Sequence, residues 1–202
     1  MLLDGNRIED AFKKIVQLQD HVKMYCLASD RPDLSVEEFQ RVITDMYRLR
    51  IYKHQVPFEG TFLRGMMERY TDRVIIYVKK NMEEDWKRFA TVKELCHVVN
   101  DEPEDWTTEG AETIKHLLAE YHINKDRLAM PTVQSENMAE ISAIELLYPY
   151  KDRLSDLSAL NGGKLTTAKI AGYYKIPEVI VAQALSDWYH DMAQSVWDIV
   201  RR

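Results

Sequence analysis

Glu94 and His97 are separated by three positions in the stretch RFATVKELCHVV, residues 88–99, and Lys93 precedes the glutamate. On a helix turning by about one hundred degrees per residue, Lys93, Glu94 and His97 fall on one face. A glutamate followed three residues later by a histidine is half of a zinc-hydrolase motif. In the full motif two histidines at i and i+4 offer ring nitrogens to one metal, and the glutamate between them activates the bound water. Here the first histidine's place is held by Lys93, which ligates a metal only as the neutral amine. Losing that proton near neutral pH needs a pKa lowered by several units, at about 1.4 kcal/mol each. By itself the E-x-x-H spacing also fits many unrelated helices.

The remaining positions of this helix, among them Phe89, Val92, Leu95, Cys96, Val98 and Val99, are apolar around most of the circumference, as in a helix at the centre of a fold. Ionisable groups on such a helix need partners. Cys96 points about one hundred degrees away from His97, so the two do not converge on one ion, and Cys96 reads as a small buried hydrophobe. His116 and His122, six residues apart, share no helical face and read as surface or packing residues.

A second segment, ENMAEISAIELLYP (136–149), completes a pattern with the first. Together they resemble the ImmA/IrrE family of zincin-like proteins, which carry R-F-T-x-A-H-E-L-G-H and later E-x-x-A-x-x-F-A-x-x-L-L-x-P. Arg88, Phe89, Glu94, Leu95 and His97 match the first motif. Glu136, Ala139, Ala143, Leu146, Leu147 and Pro149 match the second. The resemblance covers about Thr61 to Pro149. It implies a zincin-like fold, with His97 and Glu136 as vestigial metal ligands and Glu94 as the vestigial catalytic base. Lys93 and Cys96 stand where the family has histidine and glycine. Without a metal, Glu136 needs a counter-charge, and a Lys93–Glu136 salt bridge is the expected replacement.

Positioning these residues requires a fold of the α+β class, mostly helical. Asn6 with Glu9 and Ser35 with Glu38 have capping spacing and precede apolar positions at three- and four-residue steps, which predicts an N-terminal helical hairpin over 1–56. TFLRGMMERY and RVIIYVKK, joined at TD, predict an antiparallel β-hairpin. Asn81 with Glu84 predicts the start of the motif helix near Met82. TTEGAETIKHLLAEY predicts a further helix, and the 136–149 helix stops at Pro149. The expected domains are the arm (1–56), the zincin-like unit (57–150) and a C-terminal extension (151–202) packed on it, with helices around LTTAKIAGYY and PEVIVAQALSDWYHDM. That tail is similar to a helix-turn-helix, but its second helix offers no lysine or arginine to a phosphate.

The chain of 202 residues carries 27 basic and 33 acidic side chains, so no whole-protein attraction to nucleic acid or membrane is expected. The start MLLDGNRIED has no secretory pattern, and two distant cysteines, Cys26 and Cys96, form no disulfide framework; a reducing, cytoplasmic setting is expected. The leading reading is a cytoplasmic regulatory or interaction protein with a degenerate, metal-free peptidase site. The resemblance implies a protein partner such as a transcriptional repressor controlling stress or prophage genes, and the N-terminal arm offers a route to homo-oligomers. Two readings stay open beside it: an active zinc endopeptidase with an unusual ligand set, and a DNA-binding regulator using the C-terminal helices.

Overall fold

The structure is a computed structural model that describes residues 3–26, 35–59, 63–102, 105 and 131–200. It is an α+β fold with eight helices among the described residues and one three-stranded mixed sheet. Two long helices open the chain, α1 (Gly5–Cys26) and α2 (Val36–Tyr47). Ser35 caps α2 through a complete capping box with Glu38. The cap of α1 lies earlier than the Asn6 expected from the sequence, because Asp4 Oδ1 accepts the Asn6 N–H at 2.9 Å.

The helical arm expected to reach Val56 stops at Tyr47. Arg48 takes a left-handed conformation (φ 54°) and turns the chain into strand β1 (Arg50–Val56). No glycine marks this stop. Strand β2 (Gly65–Arg69) and strand β3 (Arg73–Lys79) form the expected antiparallel hairpin, and β1 pairs with β3 in parallel, so the order is β1-β3-β2. The sheet is therefore mixed and not purely antiparallel.

Residues paired across strands share a face of the sheet. Ile51 with Val74, Lys53 with Ile76, and Gln55 with Val78 form the inward rows. Val74, Ile76 and Val78 are buried under the motif helix α3 (Glu84–Asn100). Helix α2 meets the sheet from the same side, where Glu37 pairs with Lys53 and Gln40 donates to the Ile51 carbonyl.

Helix α3 begins at Glu84, two residues after the expected start, and Asn81 does not cap it. Glu83 holds the cap position without a side-chain bond; Glu84 and Asp85 follow it, acids that suit a helix N-terminus. Around α3 pack α1, α2, the sheet and α4 (Pro131–Leu147). From Phe89 to Asn100 every residue except Lys93 is buried. Phe12, Ile15, Leu18, Phe39, Ile43, Leu95, Met138 and Ile144 fill the interior between these helices. Each such side chain contributes about 1.5–3 kcal/mol through burial.

The C-terminal part is more divided than expected. Helix α5 (Tyr150–Asn161) was not anticipated, and the last predicted helix is two, α7 (Glu178–Ala184) and α8 (Asp187–Val200), broken at Leu185 and Ser186. Helix α6 (Thr167–Tyr174) precedes α7 across a three-residue turn, with Lys175 left-handed at φ 53°. Helix α8 packs on α1, where Trp197 meets Phe12 edge-on at 5.3 Å. The helix expected around TTEGAETIKHLLAEY, with His116 and His122, lies outside the described residues.

Candidate functional site

Helices α3 and α4 pack closely along their lengths. Lys93, Glu94 and His97 occupy consecutive turns of α3 and point toward the first turns of α4, which supply Ser135 and Glu136. The Lys93 ammonium donates to Glu136 Oε2 in an ion pair and stands 3.7 Å from Glu94 Oε1. His97 Nε2 lies 3.6 Å from Glu136 Oε1, outside hydrogen-bond range. All four residues singled out in the sequence therefore meet in one cluster.

The opposite edge of the His97 ring is tightly held. Its Nδ1 lies 3.0 Å from Asp101 Oδ2 and 3.1 Å from Ser135 Oγ, and the Ser135 hydroxyl donates to Asp101 Oδ1 at 2.7 Å. An ionised carboxylate only accepts, so Nδ1 carries a proton in either charge state of the ring and Nε2 is aimed at Glu136. This carboxylate–histidine arrangement is the one that orients imidazole ligands in metal sites. It also rules out a serine-nucleophile triad, since Ser135 and Asp101 share the same ring nitrogen and nothing is left to bridge them through the imidazole. Asp101 and Ser135 were not recognised from the sequence; Asp101 was visible in principle as the i+4 partner of His97.

Electrostatics follow from burial and these contacts. Burial opposes the charge on Lys93, but Glu94 and Glu136 outweigh it, and the ammonium is held above its ordinary value. Burial likewise opposes charge on His97, and Asp101 together with Glu136 overcomes it, pushing the imidazole up to about 9. Glu136 loses solvation, yet Lys93 and His97 hold its carboxyl below the usual range. Glu94 is the exception, 4% exposed and raised because burial exceeds the help from Lys93.

Glu94 is also covered by the edge strand. A Cβ built on Gly65 of β2 would lie 2.7 Å from Glu94 Oε1 and 2.9 Å from its Cγ, so any other residue there would require the Glu94 side chain to shift. The Glu94 carboxylate thus occupies the space that a side chain at position 65 would take. Cys96 is fully buried and free, and burial pushes its thiol well above the normal range, which matches a packing role.

The donor set does not fit a zinc ion. A three-ligand centre at this place would use the 93 side chain, His97 Nε2 and Glu136, but Lys93 stays a cation and consumes an oxygen of Glu136. Among the described residues no group of three or more His, Cys, Asp or Glu side chains gathers so as to hold a metal ion. Nor is any described helix long and apolar enough to cross a membrane. Compared with models of known protein families and with curated proteins, the chain finds no match.

Proposed function

We propose that this chain is a regulatory or interaction protein of the cytoplasm, built on an ImmA/IrrE-like zincin scaffold whose peptidase site has become a structural ion-pair cluster. The observation that carries this reading is the Lys93–Glu136 ion pair, in which an ammonium takes the corner that a ligand histidine would occupy. Two features support a catalytic ancestry. His97 Nε2 is buried without a hydrogen-bond partner and faces Glu136, and Asp101 fixes the ring in the orientation a ligand needs. Two features support loss of hydrolysis. Lys93 offers no lone pair, and Glu94 is enclosed beneath Gly65.

A protein that keeps such a scaffold without its chemistry acts by binding. The partner the resemblance suggests is a protein, and a transcriptional repressor of stress, prophage or mobile-element genes is its first candidate. Elemental analysis of the purified chain, paired with a peptidase assay in added zinc, tests the reading. The expected result is substoichiometric zinc and no cleavage. One zinc per chain, lost on His97→Ala or Glu136→Ala, sinks it.

A further inference from the structure

The charge of this protein is unevenly spread. Residues 48–80 hold eight lysines and arginines against three acids, a net +5, whereas the rest of the chain holds 19 against 30, a net −11. This basic segment forms the sheet, but its cations are divided between the two faces: Lys53 pairs with Glu37, Arg69 donates to the Val98 carbonyl and Arg64 lies over the Trp86 ring, all toward the side on which the described helices pack. The other side presents the outward rows: Arg50 beside Arg73, Tyr52 beside Ile75, His54 beside Tyr77, and Val56 beside Lys79. Strand β2 adds Met66 next to Tyr77 and Glu68 next to Ile75.

Two properties of these rows define a ligand. The middle rows carry rings: Tyr52 is 44% exposed, and His54 and Tyr77 lie with centroids 5.9 Å apart and planes tilted by 30°. The end rows carry cations. A flat face with rings in the middle and cations at both ends matches a strand of stacked bases joined by phosphates, since every base has a π-face and every linkage a negative charge. Asp72 and Glu68 share this face, so it carries the three cations Arg50, Arg73 and Lys79 against two acids. Asp72 pairs with both Arg50 and Arg73 at the exposed turn, where such pairs are weak and a phosphate can replace the carboxylate. Glu68 accepts hydrogen bonds from the Tyr70 and Tyr77 hydroxyls and is tied down within the face.

We propose that the outward face of the β1-β3-β2 sheet binds single-stranded nucleic acid, with Tyr52, His54 and Tyr77 stacking bases and Arg50, Arg73 and Lys79 meeting phosphates. The expectation against nucleic acid rested on total charge and on the cation-poor C-terminal helix, and the sheet face is a surface separate from both. The proposal does not depend on the state of the Lys93 cluster on the other side of the sheet.

Fluorescence anisotropy of the full chain with a labelled oligo(dT) tests it, with an equal-length duplex and polyglutamate as competitors. Binding is expected at low salt, with log K falling against log salt at a slope of about −2, as three phosphate contacts at about −0.7 each require. Tyr52→Ala and His54→Ala, both at exposed positions, should each weaken binding about tenfold. Arg50→Ala should lower the slope, and Trp188→Ala, an exposed ring on α8, should change nothing. Thermal melts confirm that each variant folds. The proposal is overturned by absent binding at low salt, by affinity indifferent to the two ring variants, by equal affinity for the duplex, or by polyglutamate competing as well as oligo(dT).

Discussion

Lys93 and Glu136, 43 residues apart in the chain, form an ion pair that joins α3 to α4. The pair lies at the edge of the buried cluster, with 19% and 30% of the two side chains still exposed. That position sets its energy between a surface pair, worth at most about 1 kcal/mol, and a buried one whose rupture costs about 3–5 kcal/mol. A double-mutant cycle of Lys93→Met and Glu136→Gln, read by urea unfolding, should give a coupling of about 1–3 kcal/mol. Each single change should cost more than the pair of changes together, because each strands one charge. Additive effects would mean that the two groups do not stabilise one another.

Replacing the lysine tests the proposed peptidase ancestry of the cluster. Lys93→His puts two imidazoles at i and i+4 opposite Glu136, while Asp101 already orients His97. Zinc affinity by calorimetry should rise at least a hundredfold over the parent, and Glu136→Ala added to it should abolish the gain. Hydrolysis need not return, since Glu94 stays buried beside Gly65. A folded Lys93→His variant that binds zinc no better than the parent would show that His97 and Glu136 are not inherited ligands.

The cluster also has a pH signature. His97 faces Asp101 and Ser135 at Nδ1 and Glu136 at Nε2, with Lys93 nearby, and its value is raised from 6.5 to about 9. A group raised on folding contributes its full stabilisation below the unfolded value and loses it as pH climbs through the folded one. Between pH 6.5 and about 9 the protein should therefore lose stability, by on the order of 3 kcal/mol at most. Asp101→Asn should flatten that slope. Histidine NMR showing His97 titrating near its ordinary value would contradict the protonated cluster.

Much of this cluster was legible because helical spacing is rigid: Lys93, Glu94 and His97 had to share a face, and the second motif supplied Glu136. Strand β1 was hidden for a physical reason. In RIYKHQV only Ile51 is buried, so the stretch lacks alternation, and α2 ends on a left-handed Arg48 in place of a glycine. Its identity as a strand comes from pairing with β3, a contact between distant residues. The break between α7 and α8 was equally silent, since Leu185 and Ser186 are ordinary helix residues by type. Gly65 gave no clue either, because its need is a neighbour's carboxylate and not its own backbone angle.

A second ion pair escaped sequence reading altogether, and it fixes the C-terminal helices to the scaffold. Glu145 of α4 and Arg153 of α5 are both 0% exposed; Arg153 donates to Glu145 Oε1 at 2.5 Å and to the Tyr148 carbonyl at 2.6 Å. Tyr189 and Trp197 of α8 donate to the same carboxylate at 3.1 and 3.2 Å, and Gln19 of α1 donates to the Glu145 carbonyl. One carboxylate thus collects donors from two further helices, each charge-assisted bond worth about 1.5–3 kcal/mol. Arg153→Met removes the cation and leaves Glu145 buried, so unfolding should ease by about 3–5 kcal/mol. Glu145→Gln keeps the shape and some acceptors but strands the arginine, and should cost a similar amount. Arg153→Met combined with Glu145→Leu removes both charges and should recover part of the loss, while Tyr189 and Trp197 lose the carboxylate to which they donate, which keeps it below the parent. Chemical denaturation of the three variants checks the order. If Arg153→Met alone unfolds like the parent, the buried pair does not hold α5 and α8 in place.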